Sequence, residues 1–240
     1  MNHSVLRQRT GAYARGEDAR RRILEAALEM FATVGYEGTS TRHLAERAGV
    51  NLPAIQYYFG SKEGLYRAVI EQIVQHNEAH MAPLAVRLRV VLERSDAAAD
   101  ELLDLLCEIL EAFVALISGG PQNESRRLLY ARAEIECTAG LELLHETGMR
   151  QVFEPCLALV ARVLGRSAED QAVVLRTVAL LGQVTIFCNR GVREALGLDL
   201  FSEERVRAVQ ALVRSQTQAV MREAMAVPRH TEPTGGRDNQ

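Results

Sequence analysis

The feature that most constrains the fold is a pair of short helical segments separated by a glycine. Residues 41–48 and 52–59 each place apolar side chains at helical spacing, and Gly49 lies between them. Glycine accepts the left-handed backbone of a tight reversal, and Asn51 can cap the second segment. Pro53 falls in the first turn, where the missing N–H has no helical partner. The pattern predicts a helix-turn-helix motif.

The outward face of the second helix is suited to DNA. Leu44, Ala45, Ala48, Val50 and Ile55 are predicted to pack the two helices together. The residues left outward are small, apolar, amide-bearing or aromatic: Leu52, Pro53, Ala54, Gln56, Tyr57 and Tyr58. Phosphates would repel a carboxylate here, whereas an amide can read base edges and small apolar groups can contact thymine methyls. We therefore expect this helix to enter the major groove.

Groups suited to phosphate flank the motif. Thr41 and Arg42 begin its first helix, where free backbone N–H groups favour anions. Lys62, the only lysine of the chain, follows Ser61, the expected cap of the next helix. We predict phosphate contacts for Thr41, Arg42 and Lys62. The alternative for Lys62 is a solvated ammonium, or an ion pair with an acid such as Glu63 or Glu37.

The charge distribution supports a polyanionic partner. The formal net charge is −3, but residues 1–62 contain nine Lys or Arg against six Asp or Glu. The remaining residues contain nineteen basic against twenty-five acidic side chains. A positive end on a negative body suits a protein that presents that end to DNA.

Helical periodicity continues through the chain and predicts an all-α fold in two domains. Residues 1–16 are predicted to be a flexible basic arm, and residues 17–64 a helix-turn-helix DNA-binding domain. Residues 65–226 should form a larger helical domain for effector binding and dimerisation, and residues 227–240 a disordered tail. The first helix is predicted from about Asp18 to Val34, where Gly35 ends it. Beyond Pro83, one predicted helix begins at a Ser95-Asp96 cap and ends near Ser118. The further predicted helices span 124–136, 141–164 (bent at Pro155), 168–188 and 203–226.

Composition favours a cytoplasmic protein. No stretch approaches 18 uncharged apolar residues, and the N-terminus has no apolar run before a cleavage site, so we expect neither a membrane span nor a signal peptide.

The four cysteines show no metal-binding or redox spacing: Cys107, Cys137, Cys156 and Cys188. We expect them to be small core residues, with a redox or metal sensor as the alternative.

The segment AALEMFATVGYEGTSTRHLAERAGVNLPAIQYYFGSKEGLYRAVI strongly resembles the TetR-type DNA-binding domain. Members follow the first helix with G-[FY]-x-x-[TS]-[ST], then I/L-A-x-x-A-G-V, then Y-x-F-x-[SN]-K-E-x-L. Gln56 stands where many members have tyrosine. The segment NLPAIQYYFGSKEGLY and two C-terminal stretches are also similar to the CecR-like (YbiH-type) branch. These stretches are RAEIECTAGLELLHETGMRQVFEPCLALVARVLG and LGQVTIFCNRGVREALGLDLFSEERV.

The resemblance implies a homodimeric transcription regulator with an effector cavity in each body. Its last two long helices would pair as a four-helix bundle, and apolar residues in 168–188 and 203–226 exceed what one core face needs. We expect a repressor that binds a near-palindromic operator and is released by a small-molecule effector. Candidate cavity residues are Phe113, Tyr130, Met149, Phe153 and Phe187, with Arg132 and Glu134 as polar anchors. The alternative is that the apolar ones are core residues and the charged ones pair on the surface.

Two other function classes stay open at this point. A sequence-independent architectural DNA-binding protein would need no cavity and would show a steep salt dependence with little sequence preference. An enzyme is the weaker alternative, because no glycine-rich phosphate loop, nucleophile elbow or paired catalytic carboxylates occur. His76 and His80 have the spacing of two metal ligands on one helix face, but no third ligand lies nearby in sequence. We therefore predict no catalytic residues, metal or cofactor.

Overall fold

A computed structural model describes residues 3–118, 121–136, 150–198 and 202–226, without the side chains of residues 3–15, 121, 134–136, 188 and 190. All regular secondary structure in these ranges is helical, which confirms the predicted all-α class. Within them, no helix is both long and apolar enough to span a membrane. The helices are α1 (His3–Gly38), α2 (Thr41–Ala48), α3 (Leu52–Phe59), α4 (Lys62–Glu93), α5 (Ala99–Ile117), α6 (Pro121–Glu136), α7 (Arg150–Leu164), α8 (Gln171–Thr185), α9 (Arg190–Ala195) and α10 (Glu203–Ala226).

The first helix is longer than the sequence predicts. It begins at His3 rather than near Asp18, so the predicted flexible arm is helical from residue 3 onward. The segment lacks proline, and its alanines and arginines favour a helix enough to offset two glycines at about 1 kcal/mol each. Gly35 breaks the helical backbone with φ 81°, where the sequence predicts the end of the helix, and a last turn follows to Gly38.

A first hydrophobic core, which we call the N-terminal core, joins α1 to α4. Phe31, Leu44 and Leu65 are fully buried at its centre. Leu129 and Ala133 of α6 are buried in the same core, although they lie far from the motif in sequence. The helix-turn-helix segment is therefore completed by a helix of the larger domain.

A second hydrophobic core, the body core, is formed by α5 together with α7, α8, α10 and the end of α4. Leu106 and Leu110 of α5 are fully buried there, as is Leu159 of α7. The helix α4 extends from one core to the other, with Ile73 in the N-terminal core and Met81 in the body core. The predicted domain boundary at residue 64 thus falls inside a continuous helix.

Several predicted helix boundaries differ from the structure. The helix α4 continues through Pro83, because a proline on an exposed helix face removes one hydrogen bond without forcing an end. The helix α5 begins after Ala98, which provides no side-chain cap, rather than at the predicted Ser95-Asp96 cap. The helix α6 begins at Pro121, which suits a first-turn position. The predicted helix over 141–164 is described from Arg150 onward, and residues 141–149 lie outside the described ranges.

The turn between α3 and α4 depends on a glycine that the motif analysis did not single out. Ser61 caps α4, and its Oγ accepts a hydrogen bond from the Gly64 amide at 3.0 Å. A Cβ added at Gly64 would lie 2.1 Å from the carbonyl oxygen of Phe59. Because this oxygen belongs to the backbone at the end of α3, any larger residue must displace one of the two helices.

We expect Gly64→Ala to lower the free energy of unfolding by about 1–3 kcal/mol, as other overpacked sites do. Gly38→Ala is the matched control, because the added Cβ would meet Val34 at an ordinary 3.4 Å. Urea unfolding of both variants, followed by circular dichroism, measures the difference. Equal stability of the two variants would contradict this close packing at the α3–α4 turn.

Candidate nucleic-acid interface

The turn of the helix-turn-helix motif is fixed by local and distant contacts. Ser40 is the residue that caps α2, and its Oγ accepts from the His43 amide at 3.2 Å. Gly49 ends α2 in the left-handed conformation, with φ 62° and ψ 41°. Arg22 of α1 donates to the carbonyl oxygens of Ala48 and Gly49 at 2.8 and 3.1 Å. No sequence pattern indicated Arg22, because the contact joins residues 26 and 27 positions apart.

The helix α3 presents a partly apolar, uncharged face to solvent. Asn51 caps it as predicted, accepting from the Ala54 amide at 3.1 Å, and Ile55 is its one buried residue. Pro53 and Gln56 are exposed, and the exposed fractions of Leu52 and Tyr57 are 49% and 82%. The Tyr57 side chain is therefore open to contact with a binding partner.

Two of the predicted outward residues lie partly inward. Ala54 and Tyr58 are half-buried and pack against the N-terminal core. They are one helical turn apart and flank Ile55, so they belong to the inner edge of α3. The ring of Tyr58 also meets that of Tyr57 edge-on, with centroids 5.0 Å apart. Tyr58 therefore orients the exposed Tyr57 as well as bordering the outer face.

Lys62 is held at the end of α1. Its Nζ lies 4.4 Å from the centroid of the Tyr36 ring and 3.5 Å from the carbonyl oxygen of Glu37. Partial burial, followed by the charges of Glu63 and Glu37, raises the pKa of Tyr36, so the ring stays a neutral phenol. A neutral ring and a carbonyl are weaker partners for an ammonium than a phosphate is. Lys62 is thus positioned beside the motif by two uncharged groups that a phosphate can replace.

The first turn of α2 is open to solvent. Thr41 is half-buried, while the Arg42 side chain is 85% exposed and lies 3.5 Å from Glu46. An exposed ion pair of this kind contributes little, so Arg42 can exchange Glu46 for another anion. Thr39, just before α2, is buried, and its Oγ1 donates to the Gly35 carbonyl at 2.7 Å.

The structure divides the predicted effector-cavity residues between two cores. Tyr130 packs against the N-terminal core, whereas Phe113 and Phe153 pack against the body core. Phe187 is half-buried in the short 3-10 turn after α8. Met149 and the Glu134 side chain lie outside the description.

Arg132, predicted as a polar anchor of the cavity, contacts α1. Its Nε donates to the Ala32 carbonyl at 2.7 Å, and its Nη2 to the Thr33 carbonyl at 2.6 Å. These carbonyls belong to α1, so the guanidinium attaches α6 to the helix that packs behind the motif. Sequence reasoning missed these contacts, because the carbonyl partners lie about one hundred residues away in sequence.

Two concave surfaces among the described residues lie along α8 and α10. A groove of about 680 Å³ runs between the two helices, and a smaller one of about 310 Å³ lies near the end of α10. Both are open to solvent, and none of the predicted cavity residues with a described side chain lines them. The larger groove is bordered by Leu175, Ala179, Gln183, Gln216, Ala219 and Val220.

Two described cysteines are buried, and one described histidine contacts an arginine. Cys107 and Cys156 are fully buried, and burial raises the pKa of the first thiol to about 11 and of the second to about 12. Thiols with such pKa values are poor nucleophiles, as expected of core residues. The side chains of Cys137 and Cys188 lie outside the description. His76 Nε2 lies 3.3 Å from the Arg126 guanidinium, a cation that disfavours a metal ion at this position.

Comparison with known proteins assigns two segments of the chain to known families. Residues 23–69 match the family described as bacterial regulatory proteins, tetR family. Residues 102–224 match the family described as the C-terminal domain of the HTH-type transcriptional dual regulator CecR. The second match alone covers about half of the chain.

Individual relatives agree with the two family matches. The chain is 28% identical over 205 residues to the HTH-type transcriptional dual regulator CecR of Shigella flexneri, covering 83% of this chain and 89% of the relative. It is 43% identical over 76 residues to the HTH-type transcriptional regulator RutR of Escherichia coli K12, covering 31% and 34% of the two chains.

Solved structures share the fold at low sequence identity. A TetR-like transcriptional regulator from Rhodococcus sp. RHA1 superposes with a TM-score of 0.61 at 21% identity, over 85% of this chain and 96% of the other. The TetR family regulator PfmR from Thermus thermophilus superposes with a TM-score of 0.56 at 20% identity, over 87% and 96%. The two family matches identify a DNA-binding transcription regulator and not an enzyme. The chain belongs to the TetR family of transcription regulators, with a C-terminal domain of the CecR type.

Proposed function

We propose that the chain is a ligand-responsive repressor that acts in the cytoplasm. It binds a near-palindromic operator as a homodimer, and a small-molecule effector releases it. The main support for the proposal is the exposed face of α3, which has no acidic side chain and belongs to a helix-turn-helix motif with both helices capped. Such a face has the polarity that the major groove requires.

The base-reading part of the proposal rests on Gln56 and Tyr57. Both side chains are exposed on the outer face of α3, next to the exposed Leu52 and Pro53. An amide can pair with two acceptor or donor groups of an adenine edge, and a tyrosine hydroxyl can donate to a base or a phosphate. The apolar neighbours can contact thymine methyl groups.

We expect Gln56→Ala and Tyr57→Ala to relax preference at particular base pairs by about 1–3 kcal/mol. Titrations against a panel of singly mutated operator duplexes and a random duplex, at two salt concentrations, measure this. Gln75→Ala, an exposed residue of α4 away from the motif, is the control. If both variants still discriminate between base pairs as the wild type does, α3 is not the helix that reads the bases. Equal affinity of the wild type for random and palindromic duplexes would instead indicate an architectural DNA-binding protein.

Lys62 and Arg42 are proposed to bind phosphates on either side of α3. Lys62 is the first residue of α4, where unpaired backbone N–H groups add positive potential. In the free protein it rests on the Tyr36 ring, so a phosphate would replace a weak partner. A single ammonium neutralises one phosphate but cannot read a base with two matched hydrogen bonds.

Lys62→Ala should therefore weaken binding to all sequences alike. We expect the slope of log affinity against log salt to fall in magnitude by about one unit per half-site, with the specificity ratio nearly unchanged. Arg67→Ala is the matched control, because it removes one exposed positive charge farther along α4. An unaltered slope for Lys62→Ala would remove Lys62 from the DNA contacts.

Dimerisation is proposed to bury the outer faces of α8 and α10. Large apolar side chains are exposed on both helices: Leu175 and Val178 on α8 are 61% and 52% exposed, and Leu212 and Val220 on α10 are 47% and 40% exposed. The open groove between the helices could receive the same helices of a second copy. A two-fold axis there would give the paired half-sites of a near-palindromic operator.

We expect the wild type to sediment as a dimer at micromolar concentration, and Leu175→Glu combined with Val178→Glu to sediment as a folded monomer. Burying a carboxylate without a partner opposes association strongly. Val86→Glu is the control, because Val86 is 62% exposed on α4, outside α8 and α10. A wild-type monomer, or a double variant that stays dimeric, would contradict the proposed interface.

Release by an effector is proposed to involve α6. Leu129 and Ala133 of this helix are buried in the N-terminal core, and Arg132 binds the end of α1. Near the start of the same helix, Glu124 contacts Arg193 of α9. A ligand that shifts α6 would therefore displace α1 and the motif that packs on it.

A further inference from the structure

The helix α1 contacts the chain at both ends of α3. Before α3 begins, the Nη1 of Arg22 donates to the carbonyl oxygens of Ala48 and Gly49 at 2.8 and 3.1 Å. At the end of α3, the guanidinium carbon of Arg20 lies 5.6 Å from the centroid of the Phe59 ring. The orientation of α3 therefore depends on α1 as well as on α2.

Arg22 binds carbonyl groups that α2 cannot satisfy by itself. The last carbonyls of a helix lack partners within that helix. At the end of α2, the Gly49 amide bonds to the carbonyls of Ala45 and Glu46, and Arg22 binds those of Ala48 and Gly49. A cation at this position also interacts favourably with the negative end of the helix dipole. Arg22 thus completes the end of α2 from another helix.

The guanidinium of Arg22 fits closely against the turn. Its Nε donates to Asp18 Oδ2 at 3.1 Å, an ion pair within α1 that restrains the guanidinium. A Cβ added at Gly49 would lie 3.1 Å from the Arg22 Nη1, closer than ordinary van der Waals contact. The Gly49 backbone also has a left-handed φ of 62°. Glycine at position 49 therefore provides both the reversal of the chain and the space for Arg22.

Few apolar contacts hold α3 in place. Within this fully described helix, only Ile55 is buried. Gln56 follows Gly49 by seven residues, a distance of about 10 Å at roughly 1.5 Å per residue. A rotation of roughly 5° at the turn therefore moves Gln56 by about 1 Å. Sites that recognise a ligand by matched hydrogen bonds require placement within about 0.5 Å.

We propose that Arg22 is a positioning residue for operator specificity. By holding the carbonyls of the turn, it fixes the angle at which α3 follows α2, and so the positions of Gln56 and Tyr57 relative to the base edges. The inference rests on the proposed base-reading role of α3. Phosphate contacts carry no sequence information and come in part from flexible side chains, so they tolerate a small displacement that base readout does not. Arg22 therefore acts on specificity through α3 and does not itself bind DNA.

The alternative role for Arg22 is a direct phosphate contact, because its side chain is 40% exposed. Loss of a phosphate contact lowers the magnitude of the slope of log affinity against log salt by about one unit per half-site. Loss of a positioning contact leaves this slope unchanged. Arg21→Met is the matched control, because the Arg21 side chain is 56% exposed and pairs with Asp18 and Glu25 of its own helix.

The first experiment measures amide hydrogen exchange of the full chain without DNA, by mass spectrometry. We expect Arg22→Met to speed exchange in residues 50–59 by roughly tenfold, as expected for the loss of one hydrogen bond to a charged group. Residues 66–74 of α4 should exchange as they do in the wild type. Arg21→Met should exchange like the wild type in both segments.

The second experiment titrates operator and random duplexes at several salt concentrations. Arg22→Met should bind the operator roughly tenfold more weakly than Arg21→Met does, with equal affinity for the random duplex and an equal salt slope. Adding Gln56→Ala should reduce base-pair discrimination less in the Arg22→Met background than in the wild type, because the amide is no longer held at its base. A mere loss of folded protein would instead lower the affinity for both duplexes alike.

Four results would overturn the proposal. These are equal exchange in Arg22→Met and Arg21→Met, a specificity ratio that Arg22→Met leaves undiminished, an equal cost of Gln56→Ala in both backgrounds, and a salt slope that falls by about one unit per half-site, which would indicate a phosphate contact. If Arg22→Met does not fold, Asp18→Ala carries both experiments, because it keeps the Arg22 guanidinium and removes the carboxylate that restrains it.

The failure of this inference is distinguishable from that of the proposed function. If Gln56→Ala and Tyr57→Ala change discrimination in the wild type but Arg22→Met does not, only the role of Arg22 fails. If neither Gln56→Ala nor Tyr57→Ala changes discrimination, the proposed base reading by α3 fails, and the role of Arg22 in specificity fails with it.

Discussion

The carbonyl groups of Ala32 and Thr33 accept hydrogen bonds from Arg132, and the arrangement of the two domains depends on this contact. Carbonyls near the end of a helix need partners from outside the helix. Here the partner is a guanidinium from the other domain, reinforced by Leu129 and Ala133, each 1% exposed in the N-terminal core. The helix-turn-helix segment is consequently part of a surface that the larger domain completes.

The helix-turn-helix motif was predictable because its determinants are local. The caps, the glycine reversal and the apolar spacing of α2 and α3 all lie within about twenty consecutive residues, and Asn51 caps α3 as the sequence indicates. Arg22 and Gly64 were missed for the opposite reason. Arg22 acts on carbonyls that lie 26 and 27 residues away, and Gly64 is required by a clash that exists only once α3 and α4 have folded.

The predicted cavity residues show where helical periodicity stops being informative. Periodicity identifies the inward face of a helix, but core residues and cavity-lining residues share that face. Tyr130 and Phe113 are both inward, yet they contact different cores. Arg193 was not selected from sequence, because an arginine in a short helix is ordinary. Its burial beside Glu124 is a property of the tertiary structure.

The proline within α4 has a mechanical consequence. Pro83 cannot donate to the carbonyl of Ala79, so the helix lacks one backbone hydrogen bond just after it leaves the N-terminal core at Ile73 and enters the body core at Met81. The stretch from Pro83 back to Lys62 acts as a lever of about 30 Å at roughly 1.5 Å per residue. A bend of roughly 5° at its base carries α3 through about 3 Å, close to the roughly 3.4 Å that separates successive bases along one DNA strand. In a two-fold pair, the stiffness of this one turn would govern which operator spacings both copies can occupy together.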